Sequence, residues 1–362
     1  MLHIVPIEPL EERYSRQWYD WTRKYLDDRK IEYIGINPES YSKIENGKFL
    51  DIVGTNVYKN RQMEIILGLF KDGLVVDGDV FWFHDLWFPG LEMLFYLRDA
   101  LHINFKIYGC LHAGTYDPND FLTQCGMSPW GEHLENAWLE GVDGVFVATC
   151  YHARLLHEHR KISPEKLHVT GFPFYPMEFL ESREIKPKRT AIRSNLNILA
   201  DDPVVSIVFP HRLDVEKHPE MFDQLEEILR SDLSLKRFSF VFTKTKEFCA
   251  TKEDYYDVLA ASDIAVSFAD QETWGIAMQE AVVLGCLPVV PAKLSYMEMY
   301  SAGKAITPFF DGTVENCAEV IKDILNRPEE YEKLRFESAL RSESNGASAL
   351  ANMLYIMGWR TF

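Results

Sequence analysis

The chain has 362 residues, of which 47% are hydrophobic and 13% aromatic, and its formal net charge at pH 7 is −17. This length suits two domains with substantial cores, and because no apolar run reaches about 18 residues, no membrane-spanning helix is expected. The strong negative charge disfavours nonspecific binding to nucleic acid or to an anionic membrane. Six scattered cysteines without a Cys-x-x-Cys pair, and an N-terminus that lacks a basic leader, favour reduced thiols and a cytoplasmic location.

The first half of the chain alternates short apolar segments with helical patterns, which predicts a doubly wound parallel sheet. Strands are predicted at residues 2–5, 31–36, 80–83, 103–111, 144–148 and 168–171. The first strand is not followed by the glycine-rich turn that is common in dinucleotide-binding domains.

Polar residues follow two of these strands, where a parallel sheet presents its ligands. His84 and Asp85 follow the strand at 80–83, and His112 follows the next one, ahead of a flexible Ala-Gly pair. A structural role is the alternative for His112. The spacing of these side chains matches no common metal motif, so we expect no metal ion.

A change in composition at residues 176–202 marks the predicted domain boundary, because charged residues replace the apolar strands there. We therefore place an N-terminal Rossmann-like domain at 1–180, a C-terminal one at 181–345 and a terminal helix at 346–362. The boundary carries a basic cluster for which a solvated linker is favoured over a nucleic-acid patch; its members are Lys186, Lys188, Arg189 and Arg193.

The second half repeats the alternation, with strands predicted at 204–209, 238–243, 264–268 and 287–290. Helices are predicted at 220–230, 255–263, 274–284, 314–325, 328–340 and 347–359. Arg212 and Lys217 flank the turn after the first of these strands. Cations at such a turn suit a diphosphate, and a surface pair is the alternative.

The stretch 267–291 predicts a strand, a tight turn, a helix and a second strand, which together form a parallel βαβ unit. Glu272 lies in the turn, and Glu280 lies about two helical turns later, so both carboxylates can accept hydrogen bonds from the hydroxyls of a polyol. N–H groups at the predicted helix start can meet anionic or hydroxyl oxygens; they belong to Thr273, Trp274, Gly275 and Ile276. Alternatively, Glu272 is a helix N-terminal acid and Glu280 a solvated one.

Two segments carry a family resemblance. Glu272, seven intervening residues and Glu280, followed by Ala281 and the segment 285–290, resemble the Glu-x7-Glu segment of family 4 and related GT-B glycosyltransferases. Arg212-Leu213-x-x-x-Lys217 resembles the Gly-Arg-Leu-x-x-x-Lys-Gly segment of the same enzymes. His211 and His218 replace its two glycines, and Thr273-Trp274 stands where the family more often has glycine and phenylalanine.

The resemblance implies a GT-B architecture, in which two Rossmann-like domains face a cleft and a terminal helix often returns to the first domain. It implies a nucleotide-sugar donor, with Glu280 on the ribose hydroxyls and Glu272 and the backbone of 274–276 near the transferred sugar. It also implies Arg212 and Lys217 on the diphosphate and His112 near the primary hydroxyl of the sugar. His112 and Glu272 are therefore the expected catalytic residues. His84 and Asp85 are left with two open roles, orientation of a loop or contact with the acceptor.

The function implied is transfer of a hexose or pentose to an acceptor hydroxyl, with retention of anomeric configuration, no obligatory metal and no cofactor. The acceptor stays open among small molecules, glycans, proteins and modified DNA. A loose likeness to viral enzymes that glycosylate hydroxymethylated pyrimidines makes DNA modification one alternative. A non-catalytic sugar-nucleotide binding module is another.

Overall fold

A computed structural model describes residues 1–11, 13–43, 50–175, 204–300 and 308–360. The chain divides into two compact units. Unit 1 comprises Met1–Phe174 and Ala347–Phe362, and unit 2 comprises Tyr175–Gly346. The basic cluster and the composition change predicted at 176–202 lie outside the described residues.

Unit 1 contains a six-stranded parallel sheet with the order β2-β1-β3-β4-β5-β6. Its strands are β1 (Leu2–Val5), β2 (Tyr33–Gly35), β3 (Val80–Phe83), β4 (Lys106–Cys110), β5 (Gly144–Val147) and β6 (Leu167–Val169). Its helices are α1 (Tyr14–Asp28), α2 (Ile52–Lys71), α3 (Leu91–Leu101), α4 (Phe121–Gln124), α5 (Ser128–Gly141) and α6 (Cys150–Arg160). Every residue of β1, β3 and β5 is buried, as expected for strands that are covered on both faces.

Unit 2 contains a five-stranded parallel sheet with the order β11-β10-β9-β7-β8. Its strands are β7 (Val204–Phe209), β8 (Ser239–Lys244), β9 (Ile264–Val266), β10 (Leu287–Pro291) and β11 (Phe309–Phe310). The helices that follow are α7 (Pro219–Ser231), α8 (Thr245–Phe248), α9 (Lys252–Ala261), α10 (Ile276–Val283), α11 (Tyr296–Met299), α12 (Val314–Asn326) and α13 (Pro328–Ile356). The predicted α/β fold with two parallel sheets is confirmed.

Side chains with short polar groups fix several helix starts. Asp51 caps α2 by accepting from the Gly54 N–H at 2.9 Å, and Thr149 caps α6 in the same way. Thr251 and Asp254 form a capping box at α9. Such caps satisfy backbone donors that have no partner within the helix, so local sequence determines where these helices begin.

The C-terminal helix α13 corrects one prediction, because a single helix replaces the two that were expected at 328–340 and 347–359. Gly346 does not interrupt it, since glycine costs a helix only about 1 kcal/mol and buried neighbours stabilise the later turns. From Ala347 onward the helix belongs to unit 1, where the Met353 sulfur lies 4.0 Å from that of Cys110. None of the described helices is both long and apolar enough to cross a membrane.

In each sheet the direction in which successive strands are added reverses once. The reversal lies next to the strand that comes first in the chain. In unit 1 the reversal lies between β1 and β3, and in unit 2 between β7 and β9. Ligands of open α/β sheets bind beyond the carboxyl ends of the strands at such a switch point. A ligand site is therefore expected at the loops that follow these strands.

Candidate functional site

An ion pair between a buried lysine and a partly exposed glutamate occupies the switch point of unit 2. Lys217 ends the short 3-10 helix Val215–Lys217 after β7, and Glu272 lies in the loop after β9. The Lys217 Nζ lies 3.0 Å from Glu272 Oε1 and also donates to the backbone oxygen of Gln271. Lys217 is only 4% exposed. The sequence predicted both residues near a ligand but not their pairing.

The charges around Glu272 keep its carboxylate ionised. Burial by itself raises the pKa of Glu272, but Lys217, His211 and Arg212 together outweigh burial and hold the pKa below its usual value. His211 Nδ1 lies 3.8 Å from the same Oε1, and burial lowers the pKa of His211 to about 3. The histidine is therefore neutral at neutral pH, and Lys217 supplies the positive charge next to Glu272.

The start of α10 lies two residues later than predicted. Gly275 is its N-cap, with φ of 65°, and a Cβ there would lie 3.2 Å from a ring carbon of Tyr296. Both the left-handed backbone and the close approach favour glycine. Thr273 and Trp274 are buried and precede the helix, so of the four predicted N–H groups only that of Ile276 belongs to the helix.

Glu280 is a buried residue of α10 that is surrounded by donors from α9. Its Oε1 accepts from Lys252 Nζ at 2.6 Å and from the Tyr256 hydroxyl at 2.7 Å, and its Oε2 accepts from the Tyr255 hydroxyl at 2.8 Å. The residue is 3% exposed, so the alternative of a solvated glutamate is wrong. Sequence reasoning missed these three donors, because no spacing signal connects one helix with the next.

Arg212 forms ion pairs with two acidic residues of the same loop. Its guanidinium forms ion pairs with Asp214 and with Glu216, the latter at 3.3 Å. The side chain is 39% exposed, so these pairs are partly solvated. A diphosphate at this turn would have to share or replace these carboxylates.

His218, which stands where the resembled family has glycine, adopts the left-handed conformation with φ of 54°. Its Nε2 lies 2.7 Å from Asp270 and its Nδ1 lies 2.8 Å from Glu220. Partial burial lowers the pKa of His218, but these hydrogen bonds outweigh it and raise the pKa above its usual value. The His218 side chain thus joins the loop after β7 to the loop that carries Glu272.

The predicted residues of unit 1 form a different kind of site. The His112 Nε2 donates to the backbone oxygen of His84 at 2.8 Å, so the two strand ends are in contact. The His84 ring stacks on Trp18 with centroids 5.3 Å apart, and the His112 ring lies 5.0 Å from Trp18 and 4.7 Å from Phe172. Burial lowers the pKa of both histidines, that of His84 to about 3.

Asp85 is held by its own loop and by α2. One carboxylate oxygen accepts from the Trp87 N–H at 3.1 Å, and the other lies 3.4 Å from Lys59 Nζ. Within the described ranges, no group of three or more His, Cys, Asp or Glu side chains could hold a metal ion. That the protein needs no metal stays a prediction.

The comparisons with known proteins agree with this architecture. Sucrose-phosphate synthase from Thermosynechococcus elongatus superposes with a TM-score of 0.65 at 14% identity, covering 98% of this chain and 97% of that one. HepE from Anabaena, solved in complex with UDP and glucose, superposes with a TM-score of 0.56 at 12% identity, covering 98% of this chain and 97% of that one. The fold is the two-domain GT-B fold, which confirms the prediction.

Sequence comparison gives a shorter match. The tRNA-queuosine alpha-mannosyltransferase of Drosophila melanogaster is 29% identical over 119 residues, which cover 28% of this chain and 32% of that protein. The match thus spans about a third of the length of this relative. No family model matches the chain.

Proposed function

We propose that this protein is a retaining glycosyltransferase that moves a sugar from a nucleotide-sugar donor to an acceptor hydroxyl. The observation that carries the proposal is the Lys217–Glu272 ion pair at the switch point of unit 2, with a second buried carboxylate, Glu280, eight residues along the chain. A cation suits the diphosphate of such a donor, and carboxylates suit its hydroxyls.

Each charged group then has a role in binding or in leaving-group stabilisation. An ammonium group has three N–H donors, and two of those on Lys217 meet Gln271 and Glu272. The third can meet a diphosphate oxygen, together with Arg212 and the N–H groups at the start of α10. Because these donors are fixed in place before the reaction, they stabilise the charge that develops on the departing diphosphate.

The two glutamates bind the remaining parts of the donor in this proposal. Glu280 accepts from the ribose hydroxyls and Glu272 from the hydroxyls of the transferred sugar. His112 is neutral because burial lowers its pKa, so it can hydrogen-bond to a sugar hydroxyl without adding charge. The UDP and glucose in the HepE complex support a donor of this class.

A modified nucleoside of tRNA is the acceptor class that the relative's name favours. A nucleic-acid acceptor would have to bind a protein of net charge −17, so its binding should depend steeply on salt. Small molecules, glycans, proteins and hydroxymethylated DNA are the competing acceptors. A sugar-nucleotide binding module without turnover is the competing function.

The test incubates the protein with labelled nucleotide sugars and separate pools of tRNA, hydroxymethylated DNA, plain DNA, glycans and small metabolites. We expect label to move to one pool, free nucleoside diphosphate to accumulate, and the product to keep the anomeric configuration of the donor. Glu272→Gln should abolish transfer, and the exposed Glu227→Gln should not.

Three results would each contradict a different part of the proposal. Nucleotide binding without any turnover would indicate the binding module. Inversion of configuration would refute retention. Label on hydroxymethylated DNA and not on tRNA would replace the favoured acceptor by the alternative one.

A further inference from the structure

The Glu280 carboxylate is closed off in this structure. Its side chain is 4% exposed, and that of Lys252, which donates to it, is 25% exposed. A buried carboxylate is costly without partners, and the three donors of α9 satisfy it. The two adjacent hydroxyls of a ribose can therefore both bind this carboxylate only if one of the present donors moves.

A count of acceptor positions leads to the same conclusion. A carboxylate offers about four lone-pair positions, two on each oxygen. Lys252 and Tyr256 fill those of Oε1, and Tyr255 fills one on Oε2. One position remains, whereas the adjacent hydroxyls of a ribose donate two hydrogen bonds.

Of the three donors, Lys252 can move away from Glu280 at the lowest cost in free energy. The tyrosines are 8% and 5% exposed, and their rings are packed inside unit 2. Lys252 is the first residue of α9, and its ammonium lies 4.5 and 4.7 Å from the centroids of the two rings. Its flexible stem allows the ammonium to move into water, where it is well solvated.

We propose that Lys252 is a displaceable counter-ion of Glu280, which neutralises the carboxylate in the free protein and is replaced by the ribose hydroxyls of the bound nucleotide. This inference rests on the proposed function, because it takes the ligand of Glu280 to be a ribose. Lys252 is a positioning residue that competes with the ligand, so it weakens nucleotide binding and limits discrimination in favour of a ribose diol.

The test compares Lys252→Met with the wild-type protein by calorimetric titration at about pH 8, well above the usual carboxyl range. The probes are ribonucleoside diphosphates and their 2′,3′-dideoxy analogues. The measured quantity is the factor by which the ribonucleotide binds more tightly than its analogue. Loss of one positive charge changes the attraction of both diphosphates alike and cancels in this factor.

We expect the factor to rise about tenfold in Lys252→Met, since one more hydrogen bond to a charged group becomes available to the ribose. Methionine keeps an apolar stem against the two rings. The matched control is Lys236→Met, at an exposed lysine of the same unit, and its factor should equal that of the wild type. If the methionine variant does not fold, Lys252→Leu, which also lacks a donor, is measured in the same way.

A factor that is unchanged or lower in a folded Lys252 variant overturns the inference and leaves the proposed function standing. A wild-type protein that binds no nucleoside diphosphate overturns both proposals. The two failures are thus distinguished by the wild-type titration alone.

Discussion

The two switch points of this protein have the same topology but opposite chemistry. In unit 2, the loops after β7 and β9 bring together Lys217 and Glu272, which form an ion pair. In unit 1, the strand ends bring together His84 and His112, which are neutral because burial among aromatic rings lowers the pKa of each. The topology therefore determines where a site lies, and the residues just beyond the strands determine which ligand groups it suits.

This difference has a physical basis. A buried charge requires a partner of opposite sign or several hydrogen bonds, and unit 2 provides both around its carboxylates. A neutral imidazole requires much less and can stack on Trp18 and Phe172. Unit 2 thus suits an ionic ligand such as a diphosphate, and unit 1 suits hydroxyls and apolar faces.

The largest expected effect comes from breaking the ion pair of unit 2. Lys217→Met leaves the mostly buried Glu272, whose side chain is 16% exposed, without its cation, so the free energy of unfolding should fall by about 3 kcal/mol. Chemical denaturation measures this loss, with Lys236→Met as the control. Adding Glu272→Gln should recover part of it, and a double variant no more stable than the single one would show that the pair is not coupled.

Glu280→Ala sharpens the comparison within unit 2, because it removes the proposed acceptor of the ribose hydroxyls and leaves the Lys217–Glu272 pair in place. Each hydrogen bond lost should cost about 1.5–3 kcal/mol of binding free energy for the preferred nucleoside diphosphate. Calorimetric titration of a nucleotide panel measures the change, with Glu227→Ala as the control. Unchanged affinity would remove Glu280 from the site.

In unit 1 the neutral state of His84 should make stability fall in acid. Its pKa is about 3 in the folded state and about 6.5 in the unfolded state. Between these values the unfolded state binds the extra proton, so the free energy of unfolding falls as the pH decreases. His84→Phe should reduce this dependence by about 1.4 kcal/mol per pH unit between about pH 5.5 and 4.

Denaturation curves at several pH values measure this slope, and the same substitution at exposed His133 is the control. Equal slopes in the wild type and in His84→Phe would mean that His84 is charged in the folded state. The neutral character of the unit 1 site would then be wrong.

The smallest effect concerns His218 in unit 2. Its contribution to stability increases as the pH decreases, whereas that of His84 decreases. Its pKa is raised in the folded state, so its stabilising contribution is complete below the unfolded pKa and is lost as the pH rises through the folded pKa. The free-energy difference between the wild type and His218→Gly should be about 1 kcal/mol larger at about pH 5.5 than at about pH 8.5. Glycine suits the left-handed backbone, so the pH dependence, and not the absolute difference, reports the two hydrogen bonds. A difference that does not vary with pH would show that they do not depend on the imidazolium.

The sequence by itself determined the alternation of strands and helices and the two motif segments, although it missed the short strand β11. These features depend on residues that are close in the chain: an apolar strand, a polar turn and a helix start lie within a few residues of one another. The strand at 80–83 and the one at 204–209 were predicted with the bounds that the structure has. The predicted bounds of the helices were less accurate, because a helix end depends on capping and packing. The continuous helix α13 is an example.

Only the tertiary structure decided which side chains meet in the sites. Lys217 and Glu272 are 55 positions apart, and Lys252 and Glu280 are 28 positions apart. No local pattern records such a contact, because it depends on how neighbouring strands and helices bring their ends together. Burial is also a property of the tertiary structure alone. Because Glu280 is buried, it depends on the donors of α9, and because His84 is buried, it stays neutral.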